Sequence, residues 1–522
     1  MALLYRFVKI SDRANSHVFT FVVTRSVTRD LERDITSKEF SCGHHRWAIT
    51  FSRADKVLGV YLVWRSVSES VRVYVDFTFT ILNREHFSVN EAFSGKQVKF
   101  TADCPAQGNR NYIPVSDLHT RNFTDTNGEF QLELCMGHVR TVFDTEFRLP
   151  HSMFTGLNRS HHHIGAKLPT KIETTYFSFG GFDWNLALYP HGIKEQHSNK
   201  DHHYKSGDHR LSLYLNRCTG FDHQCRVRYT VVLGDADRRI DSGVVDDVSD
   251  SDGKSYGWHP RARFNDLVYK GVVRVHVEMI LANTLSEVVS SVVIAQQQAS
   301  GPMSMGVTAH GVTHCYDRDK QGWTIKTDCH ADTIRLHMVY KDIHNVPRNH
   351  LRYVSWTAYI LRYHNKTVEP IPLPGAPFSH YYAQEVSDEG IIMETDIGIK
   401  EFREAGCPYL SEKSQLHVQV EWEESYLLFQ ATYHKYDDVS RIHNHQMRKE
   451  INALQAENYS LERQLFSYQK SISYAHSRGG SGHYSDNLVS PEGRDDEEDD
   501  RYFDDRNYTL GDRSMSTGTE YA

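Results

Sequence analysis

Apolar and polar residues alternate with period two over most of the first four hundred positions. Between Asp208 and Tyr229 the pattern is clearest: Leu211, Leu213 and Leu215 alternate with Ser212, Tyr214 and Asn216, and Val227 and Tyr229 alternate with Arg226 and Arg228. Successive side chains of a strand point to opposite faces, so these runs predict strands with one packed face and one outward face. A further alternating run, Val272 to Met279, follows at hairpin distance and predicts an antiparallel two-layer unit.

The same grammar occurs before and after this stretch. FSCGHHRWAITF (Phe40 to Phe51), VLGVYLVW (Val57 to Trp64), VRVYVDFTFTILN (Val71 to Asn83) and EFQLELCM (Glu129 to Met136) form an earlier copy. A fainter later copy runs through GWTIKT (Gly322 to Thr327), TIRLHMVY (Thr333 to Tyr340), YVSWTAYILRYHN (Tyr353 to Asn365), TDIGIKEF (Thr395 to Phe402) and SQLHVQVEW (Ser414 to Trp422). Three copies at roughly 130-residue spacing imply an array of like units. The expected boundaries are 16–147, 165–297 and 307–436. Residues 1 to about 15 read as a short leader. Pro150 to about Lys167, with His161, His162 and His163, and Gln296 to Gly306 read as linkers rich in turn formers and small polar residues.

The period then changes to 3.5. Met447, Leu454, Leu461 and Tyr468 fall at d, and Ile451, Asn458, Leu465 and Ile472 at a, with no Pro or Gly between Asp438 and Ala475. About four heptads of this kind predict a coiled coil over 438–475; the other reading is an amphipathic helix docked on the third unit. Asn458 at an a site favours a parallel, in-register dimer, whereas Glu457 facing Glu462 would repel there, so dimer, trimer and heteromer all stay open. Residues 476–522 are polar, with the acidic block Asp495 to Asp500, and read as a disordered tail.

The order of motifs in the second copy resembles the MATH (meprin and TRAF homology) domain. It is carried by Trp184, Leu186, Leu188, Tyr189, Pro190 and Gly192, then Leu211 to Leu215, then Tyr229, then Tyr256, Gly257, Trp258 and Phe264. The resemblance implies a mainly β chain of three tandem antiparallel MATH/TRAF-like β-sandwiches, followed by the coiled-coil helix and the acidic tail. It also implies that an extended peptide lies in a shallow groove as an added strand. The residues carried over are Tyr214, Tyr229, Tyr256 and Trp258 as contact rings, with Gly257 allowing the tight loop that presents them. In the first copy Tyr61, Phe77 and Tyr112 stand at the corresponding places. Val248 stands where well-known adaptors of the family carry another aromatic, and the helix follows the sandwiches rather than preceding them.

Composition narrows the function further. At 522 residues the chain exceeds a single core, and a net charge of -8 supplies no general basic face for nucleic acid. Eight scattered cysteines without a C-x-x-C pair predict reduced thiols and a cytoplasmic protein. The histidines, 32 in all, lie in pairs such as His202-His203 and His443-x-His445 but offer no structural Cys/His quartet, so no metal or cofactor is expected. No nucleophile elbow, P-loop, zinc-protease or kinase signature is present, which points away from an enzyme. The expected role is a non-catalytic oligomeric adaptor that binds peptides of partner proteins, with no nucleic acid and no membrane span. The alternatives are a coiled-coil structural protein with sandwiches as spacers, and a substrate-recruiting subunit of a ubiquitin ligase.

Overall fold

The computed structural model describes residues 2–10, 13–29, 33–148, 170–192, 211–220, 222–235, 238–249, 256–260, 262, 264–297, 304–310, 312–329, 332–364, 367–386, 390–402, 406–430 and 434–478. The chain is mainly β with one long C-terminal helix, His434–Arg478. Met1–Lys449 forms one compact unit and Glu450–Ala522 a second.

The first repeat contributes β1 (Ala2–Ile10), β2 (Ser16–Val23), β3 (Ile35–Thr36), β4 (Phe40–Cys42), β5 (His45–Ala54), β6 (Val57–Trp64), β7 (Val71–Ile81), β8 (Glu91–Phe100), β9 (Ala106–Pro114) and β10 (Phe130–Arg148). The second contributes β11 (Ile172–Glu173), β12 (Phe177–Phe179), β13 (Phe182–Tyr189), β14 (Ser212–Arg217), β15 (Gln224–Leu233), β16 (Ile240–Ser249), β17 (Tyr256–Trp258) and β18 (Val272–Gln297). The third contributes β19 (Ser304–His310), β20 (Val312–Tyr316), β21 (Gly322–Asp328), β22 (Thr333–Tyr340), β23 (His350–His364), β24 (Thr367–Pro372), β25 (Phe378–Tyr382), β26 (Ile391–Gly398) and β27 (Gln415–Phe429).

Each repeat has a small sheet of its own: β3-β5-β6-β9 with β4, β11-β13-β14-β17 with β12, and β20-β21-β22-β26. The remaining strands join one sheet whose spine runs β1-β2-β10-β18-β27-β23-β24. Strands β10 and β18 are long because each serves two repeats. The first half of β10 pairs with β2 and its second half with β18, while β18 passes from β15 to β27.

A buried tryptophan marks each repeat. Trp47, Trp184 and Trp323 have no exposed surface, and each indole N–H closes the turn before it, on Cys42 O (2.9 Å), Phe179 O (3.0 Å) and the Asp317 carboxylate (2.9 Å). The three turns meet where the repeats meet. Phe179 of the second lies 5.1 Å from the His44 ring of the first, and a methyl group on Gly181 would sit 3.6 Å from Arg318 Nε of the third. Gly180 in the same turn has φ +66°, and a Cβ there would fall 2.5 Å from the Ala282 methyl. Gly180→Ala is expected to destabilise the fold by roughly 2 kcal/mol or more, read as a fall in the denaturation midpoint.

Ladders join the first repeat to the second and the second to the third. Between third and first, side chains do the work: Phe7 packs 4.4 Å from Tyr426 and 5.5 Å from Tyr353. Each seam also carries a histidine–carboxylate contact: His276 to Asp144 (2.7 Å), His417 to Glu287 (2.9 Å) and His17 to Glu424 (2.8 Å).

Two expectations need correction. Residues 2–10 are not a leader, because β1 pairs with β2 from Ala2↔Val23 to Ile10↔Ser16 and buries Ala2 and Phe7. Gln296, Gln297 and Ser304 to Gly306 are not linker, since β18 pairs with β19 there as the two arms of a hairpin. The 150–167 linker and its triple histidine, His202-His203 and the acidic tail beyond Arg478 lie outside the described residues. No helix among the described residues is long and apolar enough to cross a membrane.

Candidate functional site

Of the residues expected to contact a peptide, Gly257 and Trp258 lie on β17 at the edge of the second repeat's small sheet, with Tyr214 beside them on β14. Strand β17 ends the small sheet, pairing with β14 through Leu213↔Trp258, Tyr214↔Gly257 and Leu215↔Tyr256. Strand β16 ends the branch of the large sheet through β15. Two strand edges therefore stand at one end of the unit, each with backbone donors and acceptors that no further strand among the described residues uses.

Tyr214 is half-buried, with its ring edge-on to Tyr189 at 5.6 Å and to His259 at 5.7 Å, and Trp258 is partly buried against the core. Ser212 Oγ meets His259 Nδ1 at 2.8 Å, which fixes the start of the loop after β17. Gly257 sits in a strand and not in a tight loop. Its role is close approach: a Cβ there would be 2.6 Å from Tyr214 Cε1, so only glycine lets that ring lie across β17. On β16, Val244 and Val248 are exposed, which is unusual for valine at a sheet edge. Asp246 of the same strand is held by Arg226 (3.0 Å) and Arg228 (2.6 Å), and those partners keep its carboxyl below the ordinary range despite partial burial.

Tyr229 does not belong to this group. It is 1% exposed, on the same face of β15 as Val227 and Val231, and burial pushes its phenol well above the ordinary value. The side chain of Tyr256 lies outside the described residues. In the first repeat Tyr112 is also sealed, donating to Phe79 O at 3.1 Å and Glu91 O at 2.7 Å, and Phe77 is core. Tyr61 is half-buried.

The C-terminal helix has two regimes. Its first turns dock on the first repeat: Val439 is buried, His443 Nε2 donates to Asn83 O at 2.7 Å, and Gln446 brackets the turn at Glu85 and Phe87 through 2.8 Å and 3.2 Å hydrogen bonds. Beyond it the apolar stripe is open. Met447, Ile451, Leu454, Asn458, Leu461, Leu465, Tyr468 and Ile472 are all exposed, from 38% at Met447 to 67% at Tyr468. The docked-helix reading thus holds for the first turns, on the first repeat rather than the third.

Two of the thiols, Cys225 and Cys315, are sealed in the core, and burial pushes both up to about 12, away from reactive thiolate. Among the described residues no group of three or more His, Cys, Asp or Glu side chains is placed to hold a metal ion.

Sequence reasoning missed the junction of the three turns. The available signal was the turn before each tryptophan, the pair Gly43-His44 or Gly180-Gly181 in two repeats but the longer Asp317 to Gln321, with Arg318 in it, in the third.

No family model matches the chain, and no curated protein matches it. Among solved structures, the crystal structure of AerE from Microcystis aeruginosa aligns over 50% of this chain and 95% of its own, at 9% identity and a TM-score of 0.09, a likeness that carries no argument.

Proposed function

We propose that this chain is a non-catalytic oligomeric adaptor of the cytoplasm, built from three MATH-like sandwiches, that binds extended peptide segments of partner proteins. The observation that carries the reading is the pair of strand edges β16 and β17, with Val244 and Val248 exposed on one and Tyr214 and Trp258 beside the other. An incoming strand would take its main-chain hydrogen bonds from such an edge and its side-chain selection from the rings and valines. The open stripe of the helix supports self-association, and the exposed Tyr459 and Phe466, each one residue after an a site, widen it beyond a two-helix seam. Gathering several weak edges in one particle would raise overall affinity by ~10²–10⁴ where geometry allows.

Burial of Tyr229 and Tyr112 favours a second reading, in which the sandwiches are spacers and the helix alone binds. A peptide-array screen with the full chain separates the two. Val244→Pro, which blocks the outer edge of β16, is expected to lower binding of selected peptides at least tenfold while the fold is kept. Peptide capture that is unchanged in Val244→Pro, or absent from the wild type, would refute the edge site. Leu454→Asp with Leu461→Asp is expected to reduce the mass measured by light scattering to that of one chain.

A further inference from the structure

We propose that the cavity where the three repeats meet is a binding site for a small organic acid, its oxyanion held by Arg318. The cavity measures about 540 Å³, within the range of small-molecule sites. Its wall is drawn from all three repeats: the turn at Gly43 and His44, Arg226 and Asn283 from β15 and β18, and Arg318 and Glu424 from the third.

Among the described residues, the lysine and arginine side chains on that wall are paired with one exception. Lys9 pairs with Glu424 (3.3 Å), Arg46 with Glu39 (3.7 Å), Arg226 with Asp246 and Glu421 (3.0 and 3.1 Å) and Arg228 with Asp246 (2.6 Å). Arg318 is half-buried and makes no ion pair or hydrogen bond among the described residues. Its chain neighbours are engaged elsewhere, since Asp317 and Asp319 both hold Arg352, at 3.0 and 2.9 Å. A guanidinium carries five donors in a planar fork that fits a carboxylate or phosphate edge, and leaving it desolvated and unmatched is costly. Burial lowers its pKa from the ordinary value; the nearby Asp319 charge opposes the shift in part, and Arg46 adds to it.

Two residues of the same wall each carry a polar atom buried without a partner, His44 Nδ1 and Glu424 Oε2. Burial, with Arg318 next, pushes His44 down to about 3, so its ring is neutral and presents a donor or an acceptor. The free Oε2 accepts only. The ligand that completes the wall therefore combines an oxyanion for Arg318 with a donor, an ammonium or hydroxyl group, for Glu424. This site is separate from the strand edges and does not depend on the adaptor reading.

The test uses the full chain in a low-chloride buffer free of carboxylates, at constant ionic strength, with glycine, acetate and inorganic phosphate as probes. Calorimetry and thermal unfolding are expected to show saturable binding and a raised midpoint, strongest for glycine, which supplies both groups. Arg318→Gln is expected to weaken binding at least tenfold, and without ligand to unfold at or above the wild-type temperature, because it loses an unmatched charge. Glu424→Gln is expected to abolish the preference for glycine over acetate. A wild-type chain that binds none of the three probes, as a water-filled junction would, overturns the proposal. So does Arg318→Gln binding with undiminished affinity, or a midpoint that chloride raises equally.

Discussion

Glu421→Ala is expected to lower stability by about 3–5 kcal/mol, read from denaturant unfolding of the full chain. The carboxylate is 5% exposed and sits on the seam between second and third repeats. It accepts from Arg226 Nη1 at 3.1 Å and Asn283 Nδ2 at 2.7 Å on one side, and from Tyr359 OH at 3.0 Å on the other. Removing it strands the Asn283 and Tyr359 donors and leaves Arg226 Nη1 with only Tyr359 OH (3.1 Å) and no charge compensation, which costs more than the pair itself contributes. Glu421→Gln keeps the shape and one acceptor and should cost less. Glu394→Ala, which removes the exposed pair with Arg335 (40% and 46% exposed), is expected to change stability by less than about 1 kcal/mol. Equal effects at the two sites would mean that the buried cluster does not hold the seam.

Much of the repeat was legible because a strand records its packed face locally. Leu211, Leu213 and Leu215 alternate as core residues in the sequence and are core in the fold, and the tryptophan turns recur visibly. The long shared strands were not legible, because their continuity depends on contacts between repeats. The run Glu129 to Met136 is complete only if Gly137-His138 ends it; instead that pair is a bulge, with His138 at φ +48° and the register shifting between Gly137 and Arg140. The chain bends there and continues as the same strand to Arg148. The same holds for Val272 to Met279, the first third of β18.

For the candidate site, two kinds of information conflicted. The alternation that puts Val227 in the core also puts Tyr229 there, whereas family resemblance assigned that ring to the groove. Packing decided in favour of the alternation. The resemblance gives Gly257 the role of allowing a tight loop, whereas the constraint at that position is the Tyr214 ring lying across the ladder. Arg318 and Glu424 could not be paired from sequence, because 106 positions separate them and nothing local distinguishes an unmatched charge from a solvated one. The junction exists only once the third repeat folds back onto the first.

Acidification should weaken the fold well before its carboxylates titrate, through His45. Its Nδ1 lies 3.2 Å from Trp64 Nε1, which also donates to Ser66 Oγ at 3.0 Å, and its Nε2 meets Thr141 Oγ1 at 2.7 Å. The ring is neutral, 1% exposed, and held down to about 3 by burial first and by Arg318 second. Because the folded value lies below the ordinary 6.5, the unfolded chain takes up a proton that the folded chain refuses. Stability therefore falls as pH drops below the ordinary value, by about 1.4 kcal/mol per pH unit for each such ring, until the folded form also titrates. Asp144, held low by its hydrogen bond to His276, adds a loss only below its ordinary 3.8. Glu423, raised by burial, acts in the opposite sense. Between pH 6 and 5 the difference between wild type and His45→Gln isolates the histidine, and the variant should show a slope shallower by about one proton. Parallel slopes would mean that His45 accepts a proton inside the fold, and that the Trp64–His45–Thr141 chain does not tie the small sheet to β10.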